Sequence, residues 1–122
     1  MSISVDIFDA STKKPAVNLK ISLCRARGIA SNGVVMSWDK LDEGVTDSKG
    51  HYKASSSGGD EGSTPFGNGQ YKLTFKIGQY YEQLGTRSSH PYDEMRFEIN
   101  DESRDFHSKL KLNPTAGLVR DE

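Results

Sequence analysis

Alternation of apolar and polar side chains is the feature that most constrains this chain. In residues 3–8 (ISVDIF), Ile3, Val5 and Ile7 share one side of an extended strand, and polar residues occupy most of the other side. The same period of two recurs in NLKISLC (18–24), YKLTFKI (71–77), MRFEI (95–99) and FHSKLKL (106–112). A period of two predicts strands that bury one face and leave the other polar.

Turn-forming residues separate the predicted strands. They occur in STKKPA (11–16), DSKG (47–50), INDES (99–103) and NPTAG (113–117). Residues 78–85 (GQYYEQLG) break the period, because two tyrosines and a leucine fall at helical spacing between two glycines. The sequence therefore predicts an all-β sandwich of two sheets, with seven or eight short strands and one short helix.

The longest predicted loop is SSSGGDEGSTPFGNG (55–69). Its Ser and Gly content is typical of a solvated segment. Two interpretations stay open for it: an inert insertion between strands, or a lid over a site.

Length and charge limit the classes of function. The 122 residues suffice for one domain, 1–122, and the net charge of −1 argues against a nucleic-acid or anionic-membrane partner. No apolar run approaches the roughly 20 residues of a membrane span. Cys24 is the single cysteine, and the three histidines lack metal-ligand spacing, so we expect no internal disulfide, no metal and no cofactor. We expect a soluble cytoplasmic protein; a peroxisomal location stays open, although no C-terminal targeting tripeptide is present.

Several ionisable residues lie on the polar sides of the predicted strands. Asp6 on the first strand and His107 on the penultimate strand both project away from the core set. They are either candidates for proton transfer or parts of a solvated face. In the second case Asp6 would form an ordinary cross-strand ion pair with Lys20 or Lys109.

Five segments, in register, resemble the transthyretin-like family, which includes transthyretin and 5-hydroxyisourate hydrolase. Residues 7–25 are similar to the opening "V-L-D-x-S-x-G-x-P-A" and the strand after it, and WDKLDEGVTDSKGHY (38–52) to "W-x-x-L-x-x-G-x-T-x-x-x-G-R". The other three are GQYKLTFKIGQYY (69–81), similar to "G-x-Y-x-L-x-F"; HPYDEMRFEIN (90–100), similar to "Y/F-P…F-x-I"; and FHSKLKLNP (106–114), similar to "Y-H-V-P-L-L-L-S-P". The resemblance covers nearly the whole chain.

The resemblance implies a transthyretin-like (prealbumin-like) sandwich of two four-stranded sheets, with the helix between strands five and six. It also implies a homo-oligomer, a dimer or tetramer, in which subunits pair edge to edge and the pairs pack face to face. The face-to-face contact leaves a channel lined by the first and the last two strands. In the hydrolase this channel is the active site.

Carried over by position, the hydrolase site matches only in part. The penultimate-strand His is His107, but Asp6 replaces the first-strand His and His51 replaces the Arg after the turn. The tail "Y-R-G-S" becomes LVRDE, in which Arg120 can match the Arg. The resemblance thus implies Asp6, His51 and His107 as catalytic residues. Three more residues are assigned to substrate binding: Ser4, Lys109 and Arg120.

Three functions stay open. The first is a divergent enzyme that performs acid–base chemistry (hydrolysis, isomerisation or cyclisation) on a small cyclic substrate. The residues that replace the His and the Arg of the hydrolase, Asp6 and His51, are themselves ionisable and could support such chemistry. The second is 5-hydroxyisourate hydrolase proper, acting in urate breakdown. The third is a non-enzymatic ligand-binding protein like transthyretin, although the lysines and Asp6 are poor lining for an apolar ligand.

Overall fold

The computed structural model describes residues 2–54, 66–101 and 104–120, which form two β-sheets and one helix. The first elements are β1 (Ile3–Asp9), β2 (Lys14–Pro15), β3 (Lys20–Ile29), β4 (Val35–Val45) and β5 (His51–Ala54). They are followed by β6 (Gly69–Phe75), α1 (Ile77–Gln83), β7 (Asp93–Ile99), β8 (Phe106–Asn113) and β9 (Gly117–Arg120). This all-β sandwich with one short helix confirms the predicted fold class. The expected strand number also holds if the two-residue β2 is left aside.

The first sheet is organised around β1. β8 runs parallel to β1 on one side, and β9 continues the sheet beyond β8. On the other side β5 pairs with the first half of β1, and β2 pairs with its end. The second sheet is antiparallel, in the order β4-β3-β6-β7. β1 therefore has neighbours on both sides, and its outward side chains lie in the middle of a sheet face.

The core lies between the two sheets and is built by the predicted alternation. Ile3, Val5 and Ile7 of β1 are at most 2% exposed, and the alternating apolar residues of β3 and β6 are fully buried. Near one end, Phe106 of the first sheet stacks on Phe97 of the second, with ring centroids 4.1 Å apart. Burial of each such side chain contributes about 1.5–3 kcal/mol, which makes the inward faces the main source of stability.

The helix α1 depends on a buried carboxylate for its attachment. Asp9 at the end of β1 has no exposed surface, and its carboxylate accepts hydrogen bonds from the hydroxyls of Tyr80 (2.8 Å), Tyr81 (3.0 Å) and Ser11 (2.6 Å). A helix of seven residues is too short to be stable alone in water. The paired tyrosines therefore hold it on the sheet.

The alternation of apolar and polar residues did not predict strand β4. This strand forms a long hairpin with β3 whose distal part extends beyond the core: Ile29 is 49% exposed and Met36 is 70% exposed. Because no buried face imposes a period of two there, the sequence of β4 carries no such pattern. Most of the predicted 55–69 loop, residues 55–65, lies outside the described residues. No helix in the described ranges is long and apolar enough to cross a membrane.

Candidate functional site

The turn before β5 places His51 next to Asp6. Asp47 accepts hydrogen bonds from the backbone N–H groups of Lys49 and His51, both at 2.9 Å. Gly50 has a φ of +74°, and a Cβ there would lie 2.3 Å from the carbonyl oxygen of Ile7. Only glycine fits this close approach, which starts β5 in the register that pairs His51 with Asp6.

The parallel strand β8 brings His107 to the same face from the other side of β1. Its start is fixed by two hydrogen bonds, from the Phe106 N–H to the Ser2 carbonyl and from the Ser2 N–H to the Asp105 carboxylate, both 2.8 Å. The resulting register pairs Ser4 with His107. Because side chains alternate along strands, Ser4, Asp6, His51 and His107 all project from the outer face of the first sheet.

Asp6 lies between the two imidazoles. Its Oδ1 is 2.7 Å from Nδ1 of His51, and its Oδ2 is 3.0 Å from Nε2 of His107. The two rings are nearly parallel, with centroids 6.2 Å apart. Nδ1 of His107 is 2.7 Å from Oγ of Ser4. We refer to Ser4, Asp6, His51 and His107 as the imidazole cluster.

Hydrogen bonding fixes the tautomer of each histidine when Asp6 is ionised. A carboxylate can only accept, so Nδ1 of His51 and Nε2 of His107 must both carry the hydrogen. In a neutral His107, Nδ1 then accepts from the Ser4 hydroxyl. In a neutral His51, Nε2 has no partner among the described residues and keeps a free lone pair. The available base of the cluster is therefore Nε2 of His51, whose side chain is 37% exposed.

The same contacts keep Asp6 ionised. Partial burial raises the pKa of its carboxyl, but the hydrogen bond from His51 and the charge of His107 outweigh burial and lower that pKa below its usual value. An ionised Asp6 accepts a hydrogen bond from each ring and so fixes the orientation of both imidazoles. A carboxylate orients the imidazole in the same way in a Ser-His-Asp triad.

The order Ser4–His107–Asp6 is that of a nucleophilic triad, but the surroundings do not suit a nucleophile. Ser4, the second residue of β1, is only 9% exposed. β1 is paired with β5 and β8 at this position, so the backbone N–H groups nearby are used in the sheet. Because the Ser4 side chain is nearly buried, a substrate carbonyl has little access to its hydroxyl, and the geometry favours Ser4 as the group that orients His107.

Lys109 and Arg120, the two other residues predicted to bind substrate, lie on opposite faces of the first sheet. Lys109 pairs with Asp6 in the strand register and is exposed on the face of the cluster. Arg120 pairs with the buried Leu110, which places it on the opposite side of the sheet. Within the described residues, the side chain of Asp6 contacts the two histidines and not Lys20, which instead lies 3.4 Å from Glu43.

Lys53 is an exposed cation on this face that the sequence patterns did not single out. Lys53 follows His51 by two residues in β5 and pairs with Ser4. The period of two after the DSKG turn was the signal that could have identified it.

Other polar sites of the described chain lie elsewhere. The Nε2 atom of His90 lies 3.2 Å from the carbonyl oxygen of Thr115, away from the cluster. A cavity of about 530 Å³ lies beside α1 and is lined by residues that include Glu82, Arg87 and His90, but by no member of the cluster. Among the described residues, no group of three or more His, Cys, Asp or Glu side chains is arranged to hold a metal ion.

Comparison with known proteins gives a consistent family assignment. The model of the HIUase/Transthyretin family matches residues 3–116. The chain is 31% identical over 111 residues to 5-hydroxyisourate hydrolase of Salmonella typhimurium, covering 91% of this chain and 73% of that protein. It is 27% identical over 115 residues to 5-hydroxyisourate hydrolase of Deinococcus radiodurans, with 92% and 87% covered.

Solved structures agree with this assignment. The structure of Klebsiella pneumoniae 5-hydroxyisourate hydrolase superposes with a TM-score of 0.74 at 25% identity, over the whole of both chains. Sea bream transthyretin in complex with thyroxine superposes with a TM-score of 0.72 at 21% identity, covering 98% of this chain and 96% of that one. At that identity the transthyretin match shows the fold alone.

Proposed function

This chain belongs to the HIUase/Transthyretin family, and on that premise we propose that it is an enzyme performing acid–base chemistry on a small cyclic substrate at the imidazole cluster. One observation carries the proposal: the Asp6 carboxylate holds two imidazoles, one of which has a free nitrogen. The cluster lies on an open sheet face. We therefore propose that a second copy of the chain covers it, as in the dimer or tetramer that the family resemblance implies.

For hydrolysis of a cyclic amide the steps follow from the tautomers. Nε2 of His51 takes a proton from water, and the resulting hydroxide attacks the ring carbonyl to form a C–O bond. The ring C–N bond then breaks, and the leaving nitrogen takes the proton back from His51. Asp6 stabilises the intermediate imidazolium throughout, and the Ser4–His107 pair fixes the other side of the carboxylate.

The first candidate substrate is 5-hydroxyisourate. The named relatives at 27–31% identity support this choice. The replacements by Asp6 and His51 favour an altered substrate or reaction, because His51 lacks the permanent bidentate charge of an Arg. Isomerisation or cyclisation would use the same base and the same carboxylate.

The experiment measures ring opening by absorbance, with freshly made 5-hydroxyisourate and with a panel of cyclic imides and lactones. We expect the wild type to accelerate at least one of these reactions. His51→Ala and His107→Ala should each lower that rate by about 10²–10⁴-fold, because each removes a group that holds or moves the proton.

His90→Ala is the matched control, since it removes an imidazole outside the cluster and should keep the rate. Two outcomes contradict the proposal. One is full activity of the His51 and His107 variants on a substrate that the wild type turns over. The other is no turnover of any substrate together with tight binding of an unreactive apolar ligand, which would favour a carrier.

A further inference from the structure

The imidazole cluster has exposed lysines on both sides. Lys53 of β5 is opposite Ser4, and Lys109 of β8 is opposite Asp6. Both are exposed and project from the same sheet face as the cluster, since each is two residues from a histidine of that face. A ligand lying over the imidazoles would therefore have an ammonium group within reach on either side.

The positive charge of this face is not balanced by neighbouring carboxylates. Among the outward residues of the described strands β1, β5 and β8, Asp6 is the single acidic side chain, and both of its oxygens are bonded to imidazoles. The carboxylate of Asp105, at the start of β8, feels the charge of Lys53 but already accepts a hydrogen bond from the Ser2 N–H.

Lys109 differs from the other charged residues of the cluster face in having no partner among the described residues. In the described part of the chain it has neither an ion-pair partner nor a hydrogen-bond partner, although it lies opposite Asp6 in the register. The two histidines occupy the carboxylate that would ordinarily neutralise it. The whole chain has a net charge of −1, so this cationic face is a local arrangement and not the result of a basic composition.

We propose that Lys109, assisted by Lys53, forms an anion-binding subsite that selects cyclic substrates carrying a carboxylate or an ionised ring group. The inference deepens the proposed function and rests on it for the identity of the reaction site. Lys109 departs from the family segment "Y-H-V-P-L-L-L-S-P", which has Pro where FHSKLKLNP has this lysine. The ammonium holds the anion, and the ring lies over His51 and His107.

Isothermal titration calorimetry of the full chain at low salt tests the subsite without requiring turnover. Orotate and uracil form one matched pair, in which a carboxylate is added to the same ring. Urate and hypoxanthine form a second pair, in which the ring itself is ionised. We expect at least one anion to bind roughly tenfold or more tighter than its neutral counterpart, because a hydrogen bond to a charged group is worth about that factor.

Lys109→Met should remove most of this preference for the anion, and Lys53→Met should remove a smaller part. Added NaCl should weaken the binding of the anionic compounds and leave the binding of the neutral compounds unchanged. Lys76→Met is the matched control, since it removes the same charge next to the other sheet. Equal binding of both members of each pair, no binding of any of the four compounds, or an unchanged preference in Lys109→Met would each overturn the subsite.

The two proposals fail in different ways. Anion binding that depends on Lys109, without turnover of any substrate, would contradict the proposed reaction and leave the subsite standing. Turnover of a substrate with an unchanged KM in Lys109→Met would contradict the subsite and leave the reaction standing.

Discussion

Two carboxylates on the same strand, Asp6 and Asp9, have similar hydrogen-bond partners but opposite surroundings. Each accepts hydrogen bonds from two rings, Asp6 from two imidazoles and Asp9 from two phenols. They are three residues apart, an odd spacing that places them on opposite faces of β1. Asp6 lies on the outer face with 41% of its side chain exposed, whereas Asp9 is fully buried.

The two carboxylates differ in the groups that donate hydrogen bonds to them. Burial raises the pKa of the Tyr80 and Tyr81 phenols, and the hydrogen bonds to Asp9 raise it further, so the phenols keep their protons at any ordinary pH. Imidazoles, in contrast, gain and lose a proton near neutral pH. A carboxylate held by phenols in the core therefore fixes structure, and one held by half-exposed imidazoles can take part in proton transfer.

The largest expected effect comes from Asp6→Asn. This variant should lose activity by about 10²–10⁴-fold, because the amide neither fixes the histidine tautomers nor stabilises an imidazolium. Its free energy of unfolding should change little, since Asp6 is solvated. Steady-state kinetics and urea denaturation measure the two quantities. If Asp6→Asn instead lost much stability and kept its activity per folded molecule, Asp6 would have the structural role that we assign to Asp9.

Asp9→Asn should have the complementary effect. An amide in the core cannot accept all the bonds from Tyr80, Tyr81 and Ser11, so the free energy of unfolding should fall by about 2–4 kcal/mol at neutral pH. The rate per folded molecule should be kept. Urea denaturation monitored by circular dichroism, together with an activity assay below the unfolding transition, tests both statements.

The contribution of Asp9 should also depend on pH in a defined direction. Burial raises the pKa of its carboxyl, but the hydrogen bonds from Ser11 and Tyr80 outweigh it and leave that pKa below the usual value. Stability from such a group is complete above the unfolded pKa of about 3.9 and is lost as pH falls through the folded pKa. The gap between wild type and Asp9→Asn should therefore narrow below about pH 4; a gap that widens there would contradict this assignment.

Ser4→Ala should have the smallest effect, a loss of about tenfold in rate with a shifted pH profile, because Nδ1 of His107 loses its donor. Ser4→Thr keeps the hydroxyl and should restore most of the rate. Complete loss of activity in Ser4→Ala, together with a covalent adduct on Ser4 of the wild type, would instead identify Ser4 as a nucleophile.

The sequence predicted the sandwich because its core strands bury one face, and burial imposes a visible period of two. It also named Asp6, His51 and His107 as catalytic residues, through alternation and the family resemblance together; the structure brings their side chains into contact, and the catalytic role stays a prediction. It did not predict the pairing of β5 and β8 on either side of β1, which decides that Asp6 bonds to both histidines and that Lys53 belongs to the same face. Arg120 shows the same limit, since a match to the tail motif does not specify on which side of β9 a residue lies.

The Ser4–His107 hydrogen bond joins residues 103 positions apart through the parallel pairing of β1 and β8. Contacts of such long range form late, because the entropy of closing the intervening chain must be lost before they contribute. A nascent chain that ends before residue 107 already contains Asp6 and His51 but lacks the second imidazole of the cluster. Gain of activity during refolding should therefore coincide with closure of the whole sandwich, so that catalysis is confined to molecules that have finished folding.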